Sequence, residues 1–399
     1  MSEPAAVPVI DPPIEAPSGA PGKVDHAEPA RLAALDGFRG LAVLTVFVYH
    51  VVLLGDFGAG TPLTRLFRAV GLGGWIGVDL FFVLSGFLIT GILLDTRGRP
   101  GWLRRFYIRR ALRIIPAYYL ALLTLAVVQA ASGTFDLAQF GWTGSWLTNV
   151  LIARNGWAAL PTTMHHYWSL AVEEQFYLLW PFAVAFLSPG MLLLLCAGLV
   201  VDAGFLRIAL IHSNLPAGAY VLLPARIDGL SIGALLAILA RWRGGLGLVA
   251  RLVKWPTLLT GCGLVALMVS RGGFLSDDQL VLTLGINLIV ITAGGLMVLG
   301  VAGGPTSGWS RFLEAKWLRY LGTYSYAIYL WHQPVIYWLT RLGLGATSAP
   351  RIGGSDVAGL LLLGGVAGAV SIGLALVSWR LVEGPAARLK ERLTARQSG

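Results

Sequence analysis

Between residues 35 and 382 the chain alternates long apolar stretches with short polar connections that carry arginine. The apolar stretches lie near 35–55, 73–95, 113–131, 168–187, 190–209, 218–240, 256–271, 280–301, 318–341 and 356–382. Crossing about 30 Å of hydrocarbon takes roughly 20 helical residues, and most of the stretches approach or exceed that length. A membrane leaves no water for unpaired backbone groups, so such stretches must be helices. The pattern predicts an all-α, polytopic transmembrane helical bundle of about ten spans.

The ends differ from this body. Residues 1–33 are rich in Pro, Ala and Glu and contain neither the basic segment nor the apolar core of a signal peptide. They read as a disordered cytoplasmic tail, followed by an uncleaved first helix, a membrane domain over 34–385 and a basic tail over 386–399. With both termini in the cytoplasm, only Arg65, Arg68, Arg154, Arg271, Arg341 and Arg351 fall outside, and Arg207 and Arg226 fall within spans. The other basic residues face inward, as the positive-inside rule requires. The longest outer connection, 132–167, is rich in Trp, Thr, Asn and Gly, which suits an interfacial or re-entrant lid over an outward cavity. No internal repeat is visible.

Composition sharpens the class. Hydrophobic residues make up 56% of the 399 and charged residues 13%, about half the charged share of soluble proteins, with a mean hydropathy of +0.72. The net charge of +10 sits in interhelical loops, which argues against a nucleic-acid partner. Cys196 and Cys262 lie within expected spans without metal-ligand spacing and read as small apolar fillers; no metal site is expected. Arginine outnumbers lysine and glycine is abundant, the composition of a GC-rich bacterium, which places the protein in the bacterial inner (plasma) membrane.

The chemistry lies in polar residues inside apolar stretches, which are costly there and mark functional sites by default. At about 1.5 Å rise per residue, His50 falls roughly 22 Å from the cytoplasmic side and His332 roughly 21 Å. Asp79 falls roughly 9 Å, and Glu173 roughly 8 Å, below the outer surface. Arg226 and Asp228 lie eight to ten residues below the outer end of their span. These six groups are expected to converge in the outer half of the membrane.

Five motifs then resemble the integral-membrane acyltransferase family 3, in order along 34–385. They are Arg39 with His50 eleven residues on, Gly77 to Phe87 (GVDLFFVLSGF), Arg109 to Pro116 (RRALRIIP), Trp168 to Tyr177 (WSLAVEEQFY) and Tyr324 to His332 (YSYAIYLWH). The resemblance implies about ten transmembrane helices. It also implies transfer of an acyl group, usually acetyl, from a cytoplasmic coenzyme A thioester to a sugar hydroxyl of an envelope polysaccharide, glycolipid or macrolide. It implies catalysis by His50, an essential Arg39, a matching Glu173 and coenzyme A binding by Arg109 and Arg113, with Arg110 beside them. Relatives often carry a fused extracytoplasmic esterase-like domain; this chain is expected to work through its membrane domain alone. Where the family has a basic residue between glutamate and proline near the end, this chain has Gly384, which leaves Glu383 without a role.

Chemically, moving an acyl group from a thioester to an alcohol needs a base. Histidine, with a pKa of about 6.5, suits that task. A carboxylate on its second nitrogen would fix the tautomer, and Glu173 is favoured over Asp79. Ser85, Trp168 or Arg226 would donate to the oxyanion, and Asp228, His332 and Tyr177 complete the substrate site. Direct transfer is favoured over an acyl-enzyme on Ser85 or His50. The acyl group, acetyl or succinyl, would arrive as acetyl-CoA or succinyl-CoA, with phosphates held by arginine forks and a pantetheine arm on the order of 15–20 Å reaching His50. Two alternatives remain open: a tailoring acyltransferase for a macrolide or other secondary metabolite, and a transporter or proton pathway.

Overall fold

A computed structural model describes residues 27–57, 61–242, 245–345, 355–386 and 388. The expected tails lie outside them, apart from the first turns of the opening helix from residue 27 and residues 386 and 388 at the other end. The first half of the chain forms α1 (Ala27–Leu54), α2 (Pro62–Leu72), α3 (Gly77–Thr96), α4 (Trp102–Ala131), α5 (Leu137–Gly144), α6 (Thr148–Asn155), α7 (Tyr167–Phe186) and α8 (Pro189–His212). The second half forms α9 (Pro216–Val221), α10 (Leu223–Ala240), α11 (Gly245–Arg271), α12 (Ile286–Ala302), α13 (Gly308–Leu313), α14 (Lys316–Thr323), α15 (Ser325–Leu339) and α16 (Val357–Ser378). No β-strand occurs among the described residues, so the all-α expectation stands.

Eight helical stretches among the described residues are long and apolar enough to cross a membrane. They correspond to eight of the ten expected spans. The other two expected spans are helical but differ in kind. α7 holds Glu173, Glu174 and Gln175 in mid-helix, and the stretch 318–341 breaks at Thr323–Tyr324 into α14 and the 15-residue α15.

Two close backbone approaches fix the bundle around α1 and α3. A Cβ on Gly86 would lie 1.9 Å from the Leu230 carbonyl oxygen, and one on Gly233 would lie 2.0 Å from that of Val83. A methyl group at either place would push α3 and α10 apart. Gly40 and Gly322 do the same for α1 against α14, at 2.0 Å from the Leu318 oxygen and 1.8 Å from the Asp36 oxygen. Small residues at such crossings let membrane helices pack by dispersion, since lipid gives no hydrophobic drive.

The connection 132–167 packs against α4 and α7. Gln175 of α7 donates to the Trp146 carbonyl at 2.9 Å and exchanges amide hydrogen bonds with Asn149. Trp146 is held at φ 60°, a strained left-handed conformation for a bulky residue, and its ring stacks 3.7 Å from that of Tyr118. This segment delivers the start of α7 to the middle of the bundle, beside α15.

Candidate active site

Two cavities lie toward opposite ends of α1. The first, about 320 Å³, is lined by Arg39 from α1, Ser85 from α3, Arg110 and Arg113 from α4, and Glu173, Glu174 and Tyr177 from α7. The second, about 580 Å³, is lined by Tyr49 and His50 from α1, Trp75, Trp157, His165, His166, Trp168, Tyr220, Asp277 and Gln333. Val78 and Tyr329 line both. Arg39 and His50 are eleven residues apart, roughly 16 Å along the helix axis, so the cavities lie about one pantetheine length apart.

In the arginine cavity, the Ser85 hydroxyl donates to Glu173 Oε1 at 2.6 Å. Arg39 pairs with Asp36 at 2.8 Å and keeps 17% of its side chain exposed. The Arg110 guanidinium lies 3.7 Å over the Tyr177 ring, while its Nε has no hydrogen-bond partner among the described residues. Three guanidinium groups around one cavity, two of them a helical turn apart on α4, suit an anion with several oxygens.

In the histidine cavity the tautomers follow from the partners. His332 Nδ1 lies 2.7 Å from the Tyr329 carbonyl oxygen. A carbonyl only accepts, so this nitrogen carries the proton and His332 Nε2 is a bare acceptor. His50 Nδ1 lies 3.0 Å from that Nε2 and 3.0 Å from the Val46 carbonyl oxygen. The His50 Nδ1–H is therefore shared between two acceptors, and the Nε2 lone pair stays free. No described residue hydrogen-bonds to it. His50 is 8% exposed, on the wall of the larger cavity.

His166 is held in the same way. Pro334 has no N–H, so the carbonyl of Leu330, four residues earlier, has no helical partner. His166 Nε2–H donates to it at 3.2 Å. The His166 backbone N–H donates to Gln333 Oε1 at 3.2 Å, and the Gln333 amide donates to the Thr162 carbonyl at 2.7 Å. The remaining nitrogen, His166 Nδ1, is buried without a partner.

The six intramembrane groups do not gather around one imidazole. Asp79 accepts from Arg226 at 2.6 Å and Asp228 accepts from Arg207 at 2.8 Å, all four side chains fully buried. Arg207 also donates to the Ala225 carbonyl at 2.6 Å and to Asn287 at 2.8 Å. Arg226 sits 5.0 Å from the Tyr220 ring and 5.5 Å from that of Trp168, behind the cavity wall those rings form. Arg226, Asp228 and Asp79 thus hold α3, α8 and α10 together and line neither cavity, contrary to the substrate and catalytic places expected for them. Each buried charge took the nearest opposite charge, which removes the cost of leaving it alone.

Glu173 is also displaced from its expected place. It lines the arginine cavity on Ser85, not the His50 ring, because α7 starts at the level of Leu330 in mid-bundle and not at the outer surface. The place expected for a carboxylate beside His50 is taken by His332, which contacts His50 and lines neither cavity itself. Of the three expected oxyanion donors, Ser85 is committed to Glu173 and Arg226 to Asp79. Trp168 alone faces the histidine cavity. On α4 the arginine stripe is offset by one residue: Arg110 and Arg113 line the cavity, whereas Arg109 is exposed and does not. Adjacent helical positions point about 100° apart. Glu383 accepts from Ser378 at 3.2 Å, just past α16.

The family model described as "Acyltransferase domain" matches residues 32–380. The chain belongs to this acyltransferase family. It is similar to the peptidoglycan O-acetyltransferase OatA of Listeria monocytogenes, 31% identical over 322 residues, which are 76% of this chain and 49% of that protein. It is also similar to the O-acetyltransferase OatA of Staphylococcus aureus, 28% identical over 330 residues, 77% of this chain and 51% of that protein. The chain spans about half the length of these curated relatives. No solved structure matches it. Family membership and the apolar helices together make it a multi-pass bacterial membrane protein.

Around the histidine cavity, His165, His166, Gln333 and Tyr329 were missed by sequence reasoning. A signal existed for His166. His166 stands two residues before Trp168 of one motif, and Pro334 stands two after His332 of another; proline there frees the carbonyl that the histidine takes.

Proposed function

We propose that the protein is a membrane O-acyltransferase that moves a short acyl group, acetyl or succinyl, from acyl-CoA to a sugar hydroxyl of an envelope polysaccharide or glycolipid. Peptidoglycan, the polymer in the name of the Listeria relative, is the acceptor with most support. The observation that carries this reading is the pair of cavities, with arginines in one, a free imidazole nitrogen in the other, and Val78 and Tyr329 between them.

The donor's phosphates would meet Arg39, Arg110 and Arg113. At about 320 Å³ the arginine cavity suits the acyl-pantetheine arm, with the nucleotide outside its mouth. The arm would pass Val78 and Tyr329 to present the thioester carbonyl near His50. The acceptor hydroxyl gives its proton to His50 Nε2 as its oxygen bonds to the carbonyl carbon. The imidazolium is then stabilised by His332 Nε2 and the Val46 carbonyl. The tetrahedral oxyanion accepts from the Trp168 indole N–H. Collapse breaks the C–S bond, and the proton on His50 goes to the departing thiolate, giving coenzyme A and the acylated sugar.

Purified protein in detergent, given acetyl-CoA and a glycan fragment, should release coenzyme A and form the ester, and His50→Ala should abolish both while still binding acyl-CoA. An unchanged rate in folded His50→Ala protein refutes the base assignment. If neither acyl-CoA binding nor acceptor-dependent release occurs in the wild type, a transporter or proton pathway replaces this reading.

A further inference from the structure

Two imidazoles line one cavity: His50 is bonded through Nδ1 alone, and His166 Nδ1 has no partner among the described residues. The mechanism uses only the first. A buried acceptor left bare carries an uncompensated desolvation cost, so the second invites a donor from a ligand. His166 is 2% exposed and cannot rotate to pair elsewhere. Its Nε2–H is held by the Leu330 carbonyl that Pro334 frees, and its backbone by Gln333.

We infer that His166 is an acceptor-binding residue: it takes a hydrogen bond from a second polar hydrogen, hydroxyl or amide, adjacent on the sugar to the hydroxyl that His50 deprotonates. This deepens the proposed function and rests on it. His332 lies between the two rings, its centroid 4.8 Å from that of His50 and 5.2 Å from that of His166. Neighbouring sugar substituents sit about 3 Å apart, and each hydrogen bond adds about 3 Å, so two adjacent donors on one sugar can reach acceptors several ångströms apart on one cavity wall. The rest of the wall fits a sugar. Trp157 and Trp168 line it with aromatic surface and Asp277 with a carboxylate, the groups that meet a sugar's C–H bonds and hydroxyls. A simple alcohol leaves His166 Nδ1 bare, and sites that leave a buried polar group unpaired reject such substrates.

The test uses the full chain in detergent, with N-acetylglucosamine trisaccharide as acceptor probe and acetyl-CoA as donor. Binding is read from tryptophan fluorescence. His166→Phe keeps the ring shape without nitrogens, and the loss of one neutral hydrogen bond should raise Kd and KM for the glycan about tenfold, with kcat within twofold. His166→Asn keeps an accepting oxygen and should recover part of the loss. In the wild type, trans-1,2-cyclohexanediol should compete with the glycan better than cyclohexanol does. Unchanged Kd and KM in His166→Phe, a fall confined to kcat, or equal competition by the diol and the alcohol overturns the inference while leaving the proposed function intact. A wild type that neither binds nor acylates the glycan instead overturns the acceptor reading, and this inference with it.

Discussion

Replacing His332 tests whether a neutral imidazole stands in for the carboxylate that usually orients a catalytic histidine. His332 Nε2 accepts the His50 Nδ1–H at 3.0 Å, in parallel with the Val46 carbonyl at the same distance. His332→Phe keeps an aromatic ring in a pocket bounded by Tyr329 and His166 but removes the acceptor. A neutral hydrogen bond is worth about 1 kcal/mol, and one to the charged imidazolium about 1.5–3. The transition state therefore loses roughly 0.5–2 kcal/mol more than the ground state, which is about 2–30-fold in kcat. The loss stays far below the roughly ten-thousand-fold seen when a triad carboxylate is neutralised, because the Val46 carbonyl still fixes the tautomer. Coenzyme A release, followed with a thiol-reactive dye across acceptor concentrations, should show the fall in kcat with KM within about twofold. His332→Gln, whose amide oxygen approximates the Nε2 position, should recover most of it. Wild-type kcat in His332→Phe, or equal losses in the Phe and Gln variants, refutes the reasoning.

Arg110→Ala should raise KM for acyl-CoA about tenfold by removing a charge-assisted phosphate contact, while Arg109→Ala should leave it within twofold; steady-state kinetics with the reverse order would move the phosphate site to the other face of α4. Asp79→Asn should destabilise the fold by about 3–5 kcal/mol, because Arg226 is left buried without its counter-charge. Asp79→Leu combined with Arg226→Met should cost less, read by thermal unfolding in detergent, and a double variant worse than the single contradicts the structural role. Gly86→Ala should cost about 1–3 kcal/mol or more by forcing α3 from α10, and a wild-type unfolding temperature would show that the two backbones do not touch as described.

Much of this architecture was legible in the sequence. Length and apolarity revealed the helices, and the spacing of Arg39 and His50 put them at different depths of one helix. The companionship of His50 and His332 followed from matched depth alone. Depth failed for Glu173 because α7 starts beside Leu330, partway along α15: the entering segment 132–167 shifts it inward, and no periodicity reports such a chain. It failed for Asp79, Arg226 and Asp228 for another reason. Equal depth says nothing of azimuth, and a buried charge pairs with the nearest neighbour across a helix contact, which is how Arg207, read only as a basic residue inside a span, came to hold Asp228. The choice between Arg109 and Arg110 turned on 100° of helix rotation, finer than a motif resolves.

In the proposed reaction a thioester entering at the arginine end acylates a hydroxyl entering at the histidine end. The direct measurement is product formation in proteoliposomes of defined orientation, with acetyl-CoA confined to one side and glycan acceptor to the other. Ester should form only when acetyl-CoA is on the Arg39 side and acceptor on the His50 side. Product formed equally well with both on the same side would contradict it.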